Sequence, residues 1–226
     1  REDGSQELDR AADAGARIFS LTSDGYPEPL TRIPLPPPVV YISGDWTPAD
    51  SWAVAVVGTR SCTGYGRDTS FHISRRLAEK GFTIVSGLAK GIDSSAHQGA
   101  LRAGGRTMAV FGTDVSKVYP PENRNLAASV RENGALISEF PMGTKPDRYN
   151  FPRRNAVISA LSMGVIVVEA GRKSGALITA DFANEQGREV FAVPGDINTR
   201  GCKGPHWLIK HGAHLVESEQ DVLDIL

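Results

Sequence analysis

Short apolar runs recur along the chain and are separated by segments of helical length. Runs rich in β-branched residues end in turn residues and occupy 53–57, 82–85, 107–111, 135–138, 165–169 and 189–193. Near-continuous apolar runs, in place of an apolar–polar alternation, are typical of strands covered on both faces. A helix at 204–211 and a strand at 213–216 complete the series. The pattern predicts an α/β fold: an extended Rossmann-like, doubly wound and mainly parallel sheet with helices on both faces.

The residues before this series follow a different pattern. Residues 5–20 predict a weak helix, prolines crowd 27–38, and Val39–Gly44 suits a short edge strand. We therefore divide the chain into a lead-in, residues 1–45, and a Rossmann-like domain, residues 46–226. Because the chain begins on Arg1 and not on methionine, we expect flanking domains of a longer protein to be absent.

Composition excludes several classes of protein. No apolar run approaches the roughly 20 residues of a membrane span, and no charged-then-apolar leader is present, so we expect a cytoplasmic protein. Cys62 and Cys202 are too far apart in sequence for a metal knot or a redox pair, and the histidines lack the further ligands of a zinc site. We expect no metal, no cofactor and no catalytic residue.

Charge is distributed unevenly along the chain. The whole chain has a net charge of −1, but the residues after position 50 hold 21 basic against 17 acidic side chains, a net charge of +4. The run from Lys145 to Arg154 interleaves cations with aromatic residues, a pairing that single-stranded nucleic acid uses for phosphates and base faces. A solvated surface loop is the alternative interpretation of this run.

The first predicted strand leads into a glycine-rich turn. Gly58, Gly64 and Gly66 match neither the dinucleotide-binding spacing nor the P-loop spacing, and no lysine follows them. Arg60 lies at the mouth of this turn instead. The combination suggests that the turn holds a phosphate belonging to something larger than a soluble cofactor.

Other predicted strands end in glycine, small polar or basic residues at the same edge. Parallel sheets bind ligands at the carboxyl ends of their strands, so agreement among these loops favours a binding site. The candidates from this edge are Gly58, Thr59, Arg60, Ser61, Gly87, Lys90, Ser174 and Gly175. Asp93 suits a role in capping a helix or holding its loop.

Two further candidates, Arg153 and Arg154, fall in the first turn of a helix predicted to begin at Pro152. The helix macrodipole disfavours cations there, and an anion bound between the dipole and both guanidinium groups would offset this cost. The alternative is that one arginine pairs with a carboxylate such as Asp147.

Taken together, these motifs resemble the DNA-processing protein A family, also called DprA or Smf. The resemblance covers about residues 20–217 and rests on the following elements: Gly58-Thr-Arg60, Ser86-Gly-Leu-Ala-Lys-Gly-Ile-Asp93, Tyr119-Pro120, Ser138-Glu139, Phe151-Pro-Arg-Arg-Asn155, Glu169-Ala170, Ser174-Gly175, Pro194-Gly195 and Gly212-Ala213. It implies a Rossmann-like domain that binds single-stranded DNA, forms a homodimer and helps load RecA onto incoming DNA, which it protects during natural transformation. Ala156 departs from the arginine usual after the asparagine, and His206 stands where asparagine is common.

The resemblance also implies roles for individual residues. Arg60 grips a phosphate, assisted by backbone N–H groups from Gly58 to Ser61 and at Gly87 and Gly175. Arg148 matches a basic position used for the DNA backbone, Phe151 borders a pocket for a base, and Asn155 belongs to the same element. Lys90 contacts DNA or only supports its loop.

An enzyme is the alternative function. Nucleotide hydrolases of the phosphoribohydrolase type are distant relatives that carry Gly-Thr-x-x-Glu after a late strand. This chain lacks that spacing after Glu169. Glu139, Glu169 and Asp93 remain possible acids or bases, although anchoring of arginines and helix capping is the preferred interpretation.

Overall fold

The computed structural model describes residues 4–226, so the first three residues of the predicted lead-in lie outside the described residues. The strands are β1 (Arg17–Ser20), β2 (Val39–Gly44), β3 (Ala53–Val57), β4 (Thr83–Ser86), β5 (Thr107–Phe111), β6 (Gly134–Ser138), β7 (Gly164–Val167), β8 (Glu189–Ala192) and β9 (His214–Leu215). The α-helices are α1 (Gly4–Asp13), α2 (Gly64–Glu79), α3 (Ile92–Arg102), α4 (Arg124–Glu132), α5 (Asn150–Ala160), α6 (Gly175–Glu185), α7 (Lys203–Lys210) and α8 (Glu219–Leu223).

All nine strands form one sheet in the order β1-β2-β6-β5-β4-β3-β7-β8-β9. Strand β2 pairs antiparallel with β1 on one side and with β6 on the other. Every other neighbouring pair is parallel, which confirms the predicted mainly parallel sheet. The chain builds outward from β3 to β6, returns to place β7 on the other side of β3, and continues to β9. The strand order therefore reverses between β3 and β7, and folds of this class bind ligands at that switch point.

The sheet is covered on both faces, as predicted. Ala53, Ala55 and Val57 of β3 pack in one core with apolar residues of α5, α6 and α7. Val54 and Val56 point to the opposite face and pack in a second core with residues of α2, α3 and α8. Because both sets are buried, β3 has no polar position, and its apolar run is continuous.

The lead-in differs from the prediction in two respects. The predicted helix over 5–20 ends at Asp13, and residues 17–20 form a strand, β1. The strand predicted at Val39–Gly44 forms, but it is not an edge strand, because β1 covers one side and β6 the other. The lead-in thus shares its sheet with the rest of the chain.

The described residues hold neither a membrane-spanning helix nor a cluster of metal ligands. No helix within residues 4–226 is both long and apolar enough to cross a membrane. Over the same residues, no group of three or more His, Cys, Asp or Glu side chains is arranged to hold a metal ion.

Candidate nucleic-acid interface

Three adjoining cavities lie beside the loops that follow β3, β4 and β7. The Phe151 cavity, about 300 Å³, lies between the turn after β3, the start of α5 and the start of α6. The Tyr119 cavity, about 100 Å³, lies between Tyr119, Phe151 and the loop after β4. The Arg67 cavity, about 350 Å³, lies between the first turns of α2 and α3. Arg60 lines all three, so the cavities adjoin at this side chain, and we refer to them together as the groove.

Most of the sequence-predicted residues meet in this groove. Eight line the Phe151 cavity: Gly58, Thr59, Arg60, Phe151, Arg154, Asn155, Ser174 and Gly175. Gly87 and Lys90 line the Tyr119 cavity, and Ser61 lines the Arg67 cavity. The lining of the three cavities does not include Arg148 or Arg153.

Arg60 and Phe151 form the centre of the groove. The guanidinium carbon of Arg60 lies 5.5 Å from the centroid of the Phe151 ring, which is cation–π distance. The Tyr119 ring lies 6.0 Å from the Phe151 ring, tilted by 38°. Arg60 is exposed and Phe151 is half-buried. A positive charge and an aromatic face are therefore presented side by side.

Arg154 lies beneath this pair and is buried, with 6% of its surface exposed. Its Nη1 donates to the backbone oxygens of Gly87, at 2.7 Å, and of Val110, at 2.8 Å. A Cβ at position 87 would collide with this guanidinium, so a larger residue there would force the Arg154 side chain to shift. Burial lowers the pKa of Arg154, and the nearby Asp93 carboxylate opposes that effect. Arg154 thus supplies a fixed charge that lines both the Phe151 and the Tyr119 cavities.

Asp93, in the first turn of α3, shapes the loop after β4. Its Oδ2 accepts hydrogen bonds from the backbone N–H groups of Gly87, at 3.2 Å, and Ala89, at 3.3 Å. These bonds confirm the predicted role of Asp93 in holding its loop. Burial raises the pKa of Asp93, whereas Arg154 and the two N–H groups act against this rise. Asp93 is a site residue that the candidate binding set omitted.

Arg153 and Arg148 do not line the groove, and each has another partner. Arg153 donates to Glu139 Oε2 at 2.7 Å, so it has a carboxylate partner other than Asp147. Arg148 donates to the hydroxyl of Tyr149 at 2.6 Å. Helix α5 begins at Asn150, before the predicted start at Pro152. The structure therefore separates the two adjacent arginines, one outward and one inward, instead of joining them around one anion.

Three of the six backbone donors predicted to assist Arg60 are engaged within the protein. The N–H of Thr59 donates to Glu169 O at 2.7 Å, and that of Ser61 donates to Thr59 Oγ1 at 3.2 Å. The N–H of Gly87 is bonded to Asp93, as described above. The first N–H of α6, at Gly175, has no acceptor inside its helix. The side chain of Asn155 positions this helix start by donating to Gly175 O at 3.1 Å.

Lys90 has a weak surface partner. Its Nζ lies 2.7 Å from Glu122 Oε1, and both side chains are more than half exposed. The hydrogen bond from Lys90 lowers the pKa of Glu122. Exposed pairs of this kind contribute little to stability, so Lys90 can exchange this carboxylate for another anion.

A larger cavity, about 550 Å³, lies on the other side of the turn after β3. Its lining includes two carboxylates, Glu169 and Asp196, and no cation. Glu169 is buried and accepts hydrogen bonds from the backbone N–H and the hydroxyl of Thr63, the residue that caps the start of α2. This charge does not suit a phosphate, so the cationic groove is the candidate interface.

Two residues that line the groove, Tyr119 and Arg67, were not predicted as binding residues from the sequence. Tyr119 was part of a motif, but only the fold brings its ring to Phe151. Arg67 lies one helical turn after Thr63 and lines the same cavity as Arg60. Its position in the first turn after a glycine-rich loop was the signal that could have identified it.

Comparison with known proteins assigns the chain to a family. The family model described as DNA recombination-mediator protein A matches residues 17–226. Protein Smf of Escherichia coli is 47% identical over 210 residues, which cover 92% of this chain and 56% of that protein. The chain therefore spans about half the length of this relative.

Solved structures agree with this match. The crystal structure of DNA processing protein A from Streptococcus pneumoniae has a TM-score of 0.92 and 40% identity, covering 99% of this chain and 78% of that one. The protein from Helicobacter pylori, whose structure concerns a single-stranded DNA binding mode, has a TM-score of 0.82 and 28% identity, covering 93% and 96%. The chain belongs to the DNA-processing protein A (DprA/Smf) family.

Proposed function

We propose that the groove binds single-stranded DNA without sequence preference, with a base against Phe151 and a phosphate on Arg60. The observation that carries this proposal is the Arg60 guanidinium 5.5 Å from the Phe151 ring, at the junction of three cavities. Single-strand binding sites pair a cationic track with aromatic faces in this way. The Helicobacter pylori relative, which binds single-stranded DNA, supports the same assignment.

The proposed contacts predict three properties of binding. Phosphate contacts give an affinity that falls as salt rises. A stacked base contributes about 1–3 kcal/mol, whatever its identity. Duplex DNA binds more weakly, because a paired base cannot turn into the Phe151 cavity. We assign this role to the Rossmann-like residues 46–226.

We favour binding over nucleotide hydrolysis. Asp93 is the acidic residue that lines the Phe151 cavity, and its carboxylate is committed to two backbone N–H groups. Glu139 pairs with Arg153, and Glu169 holds the start of α2. Release of a free base from a nucleoside monophosphate by the purified protein would restore the hydrolase alternative.

We further propose that the protein acts in the cytoplasm as a homodimeric recombination mediator, protecting incoming strands and helping to load RecA during transformation. The family description, DNA recombination-mediator protein A, supports this role. The test is RecA-driven strand exchange on DNA already coated with single-strand binding protein, with and without this chain. Sedimentation across a range of concentrations tests the dimer.

Fluorescence anisotropy with oligo-dT and with a duplex of equal length tests DNA binding. We expect Arg60→Gln and Phe151→Ala each to weaken oligo-dT binding at least about fivefold, the lower limit for losing one stacked base. Arg131→Gln is the matched control, because Arg131 is exposed in the last turn of α4, three residues before the amino end of β6. Full affinity in both groove variants, with folding retained, would overturn the proposal.

A further inference from the structure

We propose that Arg67 holds a second backbone phosphate of the bound strand, in the Arg67 cavity beside Arg60. The inference rests on the proposed single-strand binding. It extends the site from one phosphate at the Phe151 cavity to a track that continues over the first turns of α2 and α3. The ligand chemistry is a phosphodiester of the same strand.

The first support is that the position of Arg67 is fixed by the fold. Its backbone oxygen accepts a hydrogen bond from Ser95 Oγ, of α3, at 2.6 Å. Its backbone N–H donates to Thr63 O in the first turn of α2. The helix start is therefore tied to α3, and the exposed Arg67 side chain faces a cavity of defined shape whose far wall includes Gln98.

The second support is the charge of the cavity. Three cations, Arg60, Arg67 and Lys90, line it, and no carboxylate does. Among residues 4–226, the side chains of Arg67 and Gln98 have no hydrogen bond or ion pair, so their donors are available to a ligand. Like charges around one cavity repel one another, and a bound polyanion relieves that repulsion.

The third support is continuity with the Phe151 cavity. Arg60 lines both cavities, and Lys90 joins the Arg67 cavity to the small Tyr119 cavity between them. The cations nearest along this lining, Arg67 and Lys90, lie in the Arg67 cavity, whereas the cavity at Glu169 has two carboxylates and no cation. Charge therefore favours continuation of the strand from Arg60 into the Arg67 cavity.

A salt series with a long oligo-dT tests the proposal. Each phosphate contact on a single strand changes the log–log salt slope by about 0.7, which corresponds to about a fivefold change in affinity at 0.1 M salt. We expect Arg67→Gln to reduce the salt slope by about 0.7 and the affinity about fivefold, and Arg67→Lys to keep the wild-type slope. Arg102→Gln, the matched control, should match the wild type, because Arg102 is exposed at the last turn of α3, away from the groove.

Two measurements separate a strand contact from binding of a free phosphate. The dinucleotide dTpT carries one phosphate and cannot fill both proposed phosphate positions, so it should bind wild type and Arg67→Gln alike. Half-exposed Cys62 lines the Arg67 cavity and Cys202 is buried, so long oligo-dT should slow alkylation of Cys62 while inorganic phosphate or dTpT does not.

The outcomes distinguish this inference from the proposed function. If Arg67→Gln binds oligo-dT with the affinity and salt slope of the wild type, and if oligo-dT does not protect Cys62, the second phosphate site is overturned while the proposed function stands. Protection of Cys62 by inorganic phosphate, with no added effect of chain length, would also overturn it. Absence of oligo-dT binding by the wild-type chain would overturn the proposed function itself.

Discussion

His97 makes the stability of this protein depend on pH in a way that can be measured. The side chain lies in α3 with no exposed surface. Its Nδ1 lies 2.7 Å from Thr107 Oγ1, and that hydroxyl donates to Ile84 O at 2.7 Å. Because the hydroxyl hydrogen is used, Nδ1 must be the donor, and Nε2 is left unprotonated. Nε2 is buried without a hydrogen-bond partner, so a proton there would have no acceptor.

Burial, with a smaller contribution from the charge of Arg154, lowers the pKa of His97 from 6.5 to about 3. The unfolded chain takes up this proton near pH 6.5, whereas the folded protein does so only near pH 3. Lowering the pH through this window therefore favours unfolding. For these two pKa values, the linkage relation gives a loss of about 2 kcal/mol between pH 7 and pH 5.

Urea unfolding at both pH values, on wild type and on His97→Asn, measures this loss. Asparagine keeps an N–H near the position of Nδ1 but does not titrate. All other titratable groups are shared, so the difference between the two proteins isolates His97. We expect the wild type to lose about 2 kcal/mol more than the variant between pH 7 and pH 5. Equal losses in the two proteins would refute the assignment of a neutral, unprotonated His97.

Three further changes test the surrounding structure. Arg106→Met removes the charged partner of the fully buried Asp50, 2.7 Å away, and should cost about 3 kcal/mol in urea unfolding, whereas Arg106→Lys should recover part of it. Glu122→Gln frees Lys90 and should raise oligo-dT affinity roughly two- to fivefold without a measurable change in melting temperature. Gly87→Ala places a methyl group against the buried guanidinium and should lower both melting temperature and DNA affinity, and an unchanged protein would contradict the close approach described above.

The sequence predicted the sheet well because its strands are buried on both faces. Such strands give continuous apolar runs, and six of them were located to within one or two residues, from Ala53–Val57 to Glu189–Ala192. The strand Arg17–Ser20 was missed because it is short and its residues are half-buried or exposed. With one arginine and one serine at its ends, it has no apolar run to separate it from the preceding helix.

The sequence predicted that the candidate residues share one edge of the sheet, and most of them line the groove there, but it could not assign a direction to each side chain. Arg153 and Arg154 are adjacent, yet successive helical residues point about 100° apart. The buried Arg154 side chain donates to the backbone oxygens of Gly87 and Val110 at the edge of the sheet. The exposed Arg153 side chain donates to Glu139 instead. These partners come from distant parts of the chain, and only the folded structure brings them together.

The first glycine of the turn after β3 serves close packing, whereas the glycines of dinucleotide-binding turns let the backbone approach a bound phosphate. A Cβ at Gly58 would collide with Ile92 and with the backbone oxygen of Glu169, so this glycine allows the turn to pack closely against α3 and the loop after β7. The next N–H, of Thr59, is already bonded to that same oxygen. The N–H groups of Thr59 and Ser61 are therefore engaged within the protein, whereas dinucleotide sites turn an array of such groups toward a phosphate. In the proposed site the anion is instead held by the long, exposed side chain of Arg60, which can adjust its reach. Such a side chain fits a flexible strand, whose phosphates do not keep one fixed spacing, better than it fits a rigid cofactor.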